Sequence, residues 1–333
     1  MDCSRWQKVR CILERALAFF NPSDFFCRYE LSDPRAQSIV KLITESVQVE
    51  NLRFLFTMPW TRHIFPEATG WNTQKKITKE IQSLVGELVK EHKSTLDPND
   101  NRDFIDVYLN QVQNSHDADF NDEALIVTTM DLFGAGSETT ATTLSWAVLY
   151  MILYPDVQAK IHAEIDEVIA DKEPSMEDKP NLPYTEASIM EIQRLGSIAG
   201  QAVPHRALKD VEIQGHKIPK NTFVFSILYH MMRDPDYWDS PNTFKPERFL
   251  NETHTQVIKE ERLVPFGIGK RLCLGETLAK AELFIIITRL LQKFTFKKSP
   301  EHPVPTDQPV FGFILAPKPF HAVATPRTNN SGQ

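Results

Sequence analysis

Cys273 stands in a loop with three glycines, Phe266-Gly267-Ile268-Gly269-Lys270-Arg271-Leu272-Cys273-Leu274-Gly275, and has a cation two residues before it. Glycine carries no Cβ, so a flat molecule can approach the sulfur closely. The N–H groups of the turn, and of the helix expected over Leu278 to Leu291, can stabilise a thiolate. Arg271 can hold an anionic group beside it. These are the requirements for a protein sulfur that ligates haem iron. The competing reading is a buried structural cysteine ahead of a helix.

A second group lies in Ala135-Gly136-Ser137-Glu138-Thr139-Thr140. Gly134 and Gly136 weaken a helix there. The Thr139 hydroxyl can bond the carbonyl of Ala135 and open the helix locally. An acid beside an alcohol at such a point can relay protons, whereas the plainer reading is a Ser/Thr cluster with an exposed glutamate. Glu191 and Arg194 share a helix face at i, i+3 and can pair. That spacing alone is a weak signal, since Glu50-Asn51-Leu52-Arg53 repeats it and reads as an exposed surface pair. His205 opens a region of strand-like pattern, where a lone histidine is more often a satisfied polar residue than a ligand.

The spacing Phe-x-x-Gly-x-Arg-x-Cys-x-Gly resembles the haem-binding signature of the cytochrome P-450 family, with Phe266, Gly269, Arg271, Cys273 and Gly275 on every fixed position. Five fixed residues over ten positions seldom coincide in a chain of ordinary composition. The resemblance implies heme b with Cys273 as axial thiolate and metal ligand, held in the loop of Phe266, Gly267, Gly269 and Gly275. Ala135 through Thr140 resemble the family's oxygen-activating motif. That implies Ala135 against the haem, Thr139 steadying dioxygen and Glu138 helping to deliver protons. Arg248, in Pro246-Glu247-Arg248-Phe249, falls at the distance of the family's second arginine. Glu191, Arg194 and Arg248 then resemble its buried Glu-Arg-Arg network, a structural feature behind the cysteine loop. The resemblance further implies haem propionate donors at Arg271 and His205, and a second pair at Trp6 and Arg10. Implied substrate contacts are Ile126, Met130 and Ala135, then Ile198, Ala199, Ala202 and Val203, then Phe311, Phe313 and Ile314. Most are apolar, which points to fatty acids, steroids or foreign lipophiles.

The elements that must position these residues read as mainly helical. Apolar spacing predicts helices over 35–56, 75–93, 104–112, 121–154, 155–170 and 184–196. Short alternating segments over 203–225 read as strands. A proline-rich irregular stretch covers 234–265, and a β hairpin region covers 294–324. The expected fold is mainly α with small β regions, a cytochrome P-450 fold lacking its N-terminal third. Residues 1–27 are expected to be an atypical segment with an amphipathic helix, and residues 28–333 the C-terminal two-thirds of one catalytic domain. Phe104-Ile105-Asp106-Val107-Tyr108-Leu109, Tyr184-Thr185-Glu186-Ala187 and the stretch from Arg262 to Leu283 look like animal microsomal family 2. Relative to it, the anchor, first helices and most of the first sheet are expected to be absent. The strands near 208–225 are then expected to expose apolar surface and open edges.

Composition fits this reading. The chain has 333 residues, 41% hydrophobic and 24% charged, enough for a full core. Its net charge of -7, from 37 Lys+Arg against 44 Asp+Glu, argues against a general nucleic-acid binder. Cys3, Cys11, Cys27 and Cys273 form no C-x-x-C pair, and a disulfide framework is not expected. No apolar run reaches the roughly 18–20 residues of a membrane span. The resemblance implies a haem-thiolate monooxygenase on the cytoplasmic face of the endoplasmic reticulum membrane. NADPH-cytochrome P-450 reductase would supply electrons, with cytochrome b5 as a second donor. The reductase would dock near Lys270 and Arg271. The rival readings are a truncated, non-catalytic haem-binding remnant, and a haem-thiolate isomerase, against which the Glu138-Thr139 pair argues.

Overall fold

The computed structural model describes residues 34–49, 58–114 and 120–327, which fall into two compact units, one up to Glu138 and one from Thr139. Trp6, Arg10, the expected amphipathic helix and the Glu50–Arg53 pair lie outside the described residues.

In the first unit, helix α1 (Pro34–Gln48) packs on α3 (Trp71–Ser94), with a single turn α2 (Thr61–Ile64) between them in sequence. α3 buries Ile77, Ile81, Val85, Leu88 and Val89, one stripe at helical spacing. It starts at Trp71, earlier than the periodicity alone predicts, because Gly70 takes a left-handed φ of 69° as its N-cap. Only glycine adopts that conformation without strain. Helix α4 (Phe104–Asn114) is capped by Asp103, whose Oδ1 accepts from the Ile105 and Asp106 amides at 2.9 and 3.2 Å. The other Asp103 oxygen meets Nε2 of His92 on α3 at 2.8 Å, and His92 Nδ1 faces the Leu88 carbonyl at 2.9 Å. Arg102 holds both oxygens of the buried Asp106.

Helix α5 (Asp122–Leu153) runs from an Asn121 cap, whose side chain accepts from the Ala124 amide at 2.9 Å. It is one continuous helix through Gly134 and Gly136, so the expected local opening at Thr139 does not interrupt it. Pro155 ends it and starts α6 (Pro155–Val168).

The second unit contains an extended core, with Trp146, Leu149, Ile161, Ile165, Ile192, Phe249, Phe284, Ile287 and Leu291 buried together. Tyr150 stacks on Phe244 with centroids 4.7 Å apart. Helix α7 (Pro183–Gly196) is capped from a distance by Glu164 of α6, which accepts from the Tyr184 and Thr185 amides at 2.7 Å each. A short helix α8 (Leu228–Met231) and a 3-10 turn (Pro246–Phe249) punctuate the irregular stretch. Helix α9 (Glu276–Lys293) follows the cysteine loop.

The β segments form two-stranded antiparallel ladders. β1 (His205–Arg206) pairs with β4 (Phe223–Val224), enclosing the hairpin of β2 (Val211–Ile213) and β3 (His216–Ile218). β5 (Phe294–Lys298) pairs with β8 (Ala322–Pro326) across an inner hairpin of β6 (Pro309–Val310) and β7 (Ala316–Pro317). Leu208, Ile213 and Phe223 are exposed.

Candidate active site

The cysteine loop is closed by its own backbone. The Cys273 amide donates to the Phe266 carbonyl at 3.0 Å, the Gly267 amide to Val264 at 3.0 Å, and the Leu272 amide to Gly269 at 3.1 Å. Gly267 and Gly269 have φ of 76° and 75°, so the tight turn requires them to be glycine. Nothing lies within 4 Å of where a Cβ would stand on Gly267, Gly269 or Gly275. The loop is therefore an open cradle around an exposed cysteine, flanked by the exposed Ile268 and Leu272. A soft sulfur donor, open apolar surface and glycine-made clearance fit a flat iron-bearing macrocycle.

The charge balance on Cys273 departs from expectation. Protein packed behind the sulfur raises the thiol above its usual range, a hydrogen bond with the Gly275 backbone lowers it, and nearby Glu276 raises it again. The net direction is upward. The turn supplies the expected donor, but desolvation outweighs it when no cation faces the sulfur. Arg271 is exposed and enters no ion pair among the described residues.

The structure brings Glu191, Arg194 and Arg248 together. Glu191 and Arg194 are fully buried. Glu191 Oε2 accepts from Arg194 Nε at 2.7 Å, and its Oε1 from Arg194 Nη2 at 2.8 Å, Arg248 Nε at 3.1 Å and the Lys245 amide at 2.9 Å. Arg194 Nη1 reaches the carbonyls of Met232 and Pro241 at 2.7 and 2.8 Å. Arg248 Nη1 reaches that of Asp239 at 2.8 Å. Trp238 lies under both guanidinium groups, 5.0 and 5.8 Å from its ring centre. Sequence reasoning missed Trp238 and the Lys245 amide, because no spacing rule connects them to the helix.

On α5, the Ser137 hydroxyl donates to the Phe133 carbonyl at 2.6 Å and the Thr143 hydroxyl to that of Thr139 at 2.8 Å. Glu138 accepts from the Thr44 hydroxyl of α1 at 3.1 Å, so it is not a bare surface acid. Thr140 meets Glu282 of α9 at 3.4 Å. Burial raises the Glu282 carboxyl above its usual range, and the Thr140 contact opposes this. Neither Thr44 nor Glu282 was legible beforehand, since both partners are distant in sequence.

His205 is exposed on β1, opposite Val224. Ile198, Ala199 and Ala202 are half-buried on the turn after α7, and Val203 is exposed. Phe311 and Phe313 are exposed and Ile314 half-buried at the inner hairpin. In the first unit, Ile126 and Met130 are half-buried and Ala135 is exposed on α5.

A family model described as Cytochrome P450 matches residues 10–323. The rat protein named Cytochrome P450 2D4 is 40% identical over 311 residues, covering 91% of this chain and 61% of that protein. Rat Cytochrome P450 2U1 is 43% identical over 310 residues, covering 90% of this chain and 58% of that protein. Farnesoate epoxidase of Bombyx mori is 36% identical over 303 residues, covering 90% and 61% respectively. A zebra fish cytochrome P450 solved with progesterone superposes with a TM-score of 0.78 at 30% identity, covering 97% of this chain and 71% of that chain. The chain thus spans about three-fifths of the length of these curated relatives. It has their mainly helical fold, with family 2 members among its relatives, and it belongs to the cytochrome P450 family.

Proposed function

We propose that this chain carries the thiolate half of a haem monooxygenase, which inserts one oxygen atom of dioxygen into a lipophilic molecule and releases the other as water. The observation that carries the reading is the open glycine cradle around Cys273, at the start of α9. Bound heme b would supply the redox-active iron, with the thiolate pushing electron density that favours O–O cleavage.

The chain's own residues would act around that group. Cys273 Sγ would hold the metal, and Phe266, Gly267, Gly269 and Gly275 would shape its loop. The Arg271 guanidinium and a His205 ring N–H would donate to carboxylates at the edge of the group. Thr139 Oγ1 presents a hydroxyl proton, and the Glu138 carboxylate, steadied by Thr44, returns one from solvent. Glu191, Arg194 and Arg248 keep the segment before the loop in place. Ile198, Ala202, Val203, Phe311 and Ile314 offer apolar contact to a fatty acid, steroid or foreign lipophile. Relatives named for farnesoate epoxidation and solved with progesterone are consistent with that class. Electrons would come from NADPH-cytochrome P-450 reductase, with cytochrome b5 as second donor, at Lys270 and Arg271 on the endoplasmic reticulum surface. No helix among the described residues is long and apolar enough to cross a membrane.

The exposed Leu208, Val203 and Phe311, 83%, 66% and 75% accessible, favour a second reading: a haem-binding chain without turnover. One experiment separates the readings. The purified chain is reconstituted with haem, reduced and treated with CO, then supplied with reductase and substrate. A red-shifted Soret band that disappears in Cys273→Ser supports thiolate ligation, and an unchanged band in that variant refutes it. Ligation without product formation selects the second reading.

A further inference from the structure

Two segments proposed to face substrate, residues 198–203 and 311–314, meet at Leu315. Its amide donates to the Ile198 carbonyl at 2.9 Å, and its carbonyl accepts the Trp146 indole N–H at 3.0 Å. Leu315 and Trp146 are buried. The turn is fastened on its other side as well. The Tyr229 amide donates to the Gly200 carbonyl at 2.9 Å, and the Ala202 amide to Ser226 at 3.0 Å.

Gly200 sits at the centre of these ties. A Cβ built on it would lie 2.7 Å from Leu315 Cδ1, 3.1 Å from the Ser197 carbonyl oxygen and 3.2 Å from Tyr229 Cβ. Its φ is not in the left-handed region, so an L residue could adopt its backbone conformation. What excludes a side chain is space: the Leu315 methyl occupies it. A methyl at 200 must displace Leu315 and also press on two neighbours that cannot rotate away, a backbone oxygen and a Cβ. Packed interiors absorb such an insertion by shifting backbone.

We propose that Gly200 and Leu315 form a steric clamp that fixes the separation of the two segments, making Gly200 a specificity-determining positioning residue. This rests on the reading that those segments face a lipophilic substrate. Gly200 itself need touch no substrate. It acts by letting Leu315 seat, which sets where Ile198, Val203, Phe313 and Ile314 stand relative to one another.

The test compares wild type, Gly200→Ala, Leu315→Ala and the double variant with two readouts that need no turnover. One is hydrogen exchange at the Leu315 amide. The other is the ratio of dissociation constants for progesterone and lauric acid, by equilibrium dialysis. Gly200→Ala should speed exchange roughly tenfold, the scale of overpacking by one methyl. It should also move the probe ratio by roughly tenfold, the discrimination that a methylene commonly carries. In the Leu315→Ala background, where the 2.7 Å contact is gone, Gly200→Ala should change both readouts less than it does in wild type. Unchanged exchange in Gly200→Ala, or an equal effect of Gly200→Ala in the two backgrounds, overturns the clamp. Exchange that responds with this coupling, in a chain whose probe ratio never moves or which binds neither probe, overturns the specificity role and leaves the clamp as packing alone.

Discussion

Removing the Glu191 carboxylate should destabilise the second unit more than removing either single arginine contact. The carboxylate accepts four hydrogen bonds: two from Arg194, one from Arg248 and one from the Lys245 amide. Arg194 has no solvent exposure, so in Glu191→Ala its charge stays in the core without an anion. Breaking one partner out of a buried pair costs about 3–5 kcal/mol. Arg248→Ala is milder. Arg248 stands at the edge of the network, and Glu191 keeps both bonds to Arg194. Losing the bond to Glu191 costs about 2 kcal/mol, and the other Arg248 partners, the Asp239, Ser240 and Thr243 carbonyls, are open to water. Glu191→Gln should resemble Glu191→Ala, because its amide N–H₂ would confront an arginine donor. With a slope of roughly 1–3 kcal/mol per molar urea, Glu191→Ala should lower the midpoint by at least about 1 M. Tryptophan fluorescence is the assay, since the Trp238 ring lies under both guanidinium groups and Trp146 lies in the same core. A Glu191→Gln chain that unfolds at the wild-type urea concentration would refute the reasoning.

Thr139→Ala is expected to leave haem binding intact while reductant consumption continues and peroxide replaces product; normal coupling would make Thr139 a helix residue only. In the first unit, His92 presents one ring nitrogen to the Leu88 carbonyl and the other to Asp103, two acceptors that together favour the charged ring. Burial pulls its pKa down, but Asp103, Leu88 and Asp106 together bring it above the ordinary value. A raised folded-state pKa means stability that is complete below the unfolded value, about 6.5, and lost as pH rises through the folded value. The urea midpoint of that unit should fall over that window in wild type and lose the slope in Asp103→Asn, with the His92 ring titration read by NMR. A flat wild-type profile would contradict the geometry.

What was legible in the sequence was what the chain writes locally. The cysteine loop, Glu191 with Arg194, and the acid beside Thr139 each lie within ten residues, and helical or turn geometry then fixes their mutual placement. Helix positions followed for the same reason, since α3 shows its apolar face at helical spacing and Pro155 marks the end of the long apolar α5. Illegible features depend on partners far along the chain. Glu164 caps α7 from another helix, β5 pairs with β8 rather than with its neighbour, and Leu315 seats against Gly200 across 115 residues. The Cys273 thiol shows the same limit in electrostatics. Its donors were visible in the loop, while the packed protein that outweighs them was not.

The arrangement of the Glu-Arg-Arg network also explains why it is charged. The stretch after α8 has almost no ladder or helix to satisfy its backbone, and it runs along the surface, anchored by the buried Met232, Trp238 and Phe244. Arg194 and Arg248 donate to the carbonyls of Met232, Asp239, Ser240, Pro241 and Thr243. Two guanidinium groups thus do for an irregular segment what secondary structure does elsewhere. Glu191 balances their charge and fastens the segment once more through the Lys245 amide. Elsewhere, a buried ion cluster can be exchanged for apolar residues at little loss. Here that exchange would remove the charge but leave the sheltered Met232 and Pro241 carbonyls without donors, at about 1–3 kcal/mol for each that water cannot reach. The segment leads into Pro246–Phe249 and on toward Phe266. The cysteine loop, by contrast, closes on its own backbone, through the Gly267, Leu272 and Cys273 amides.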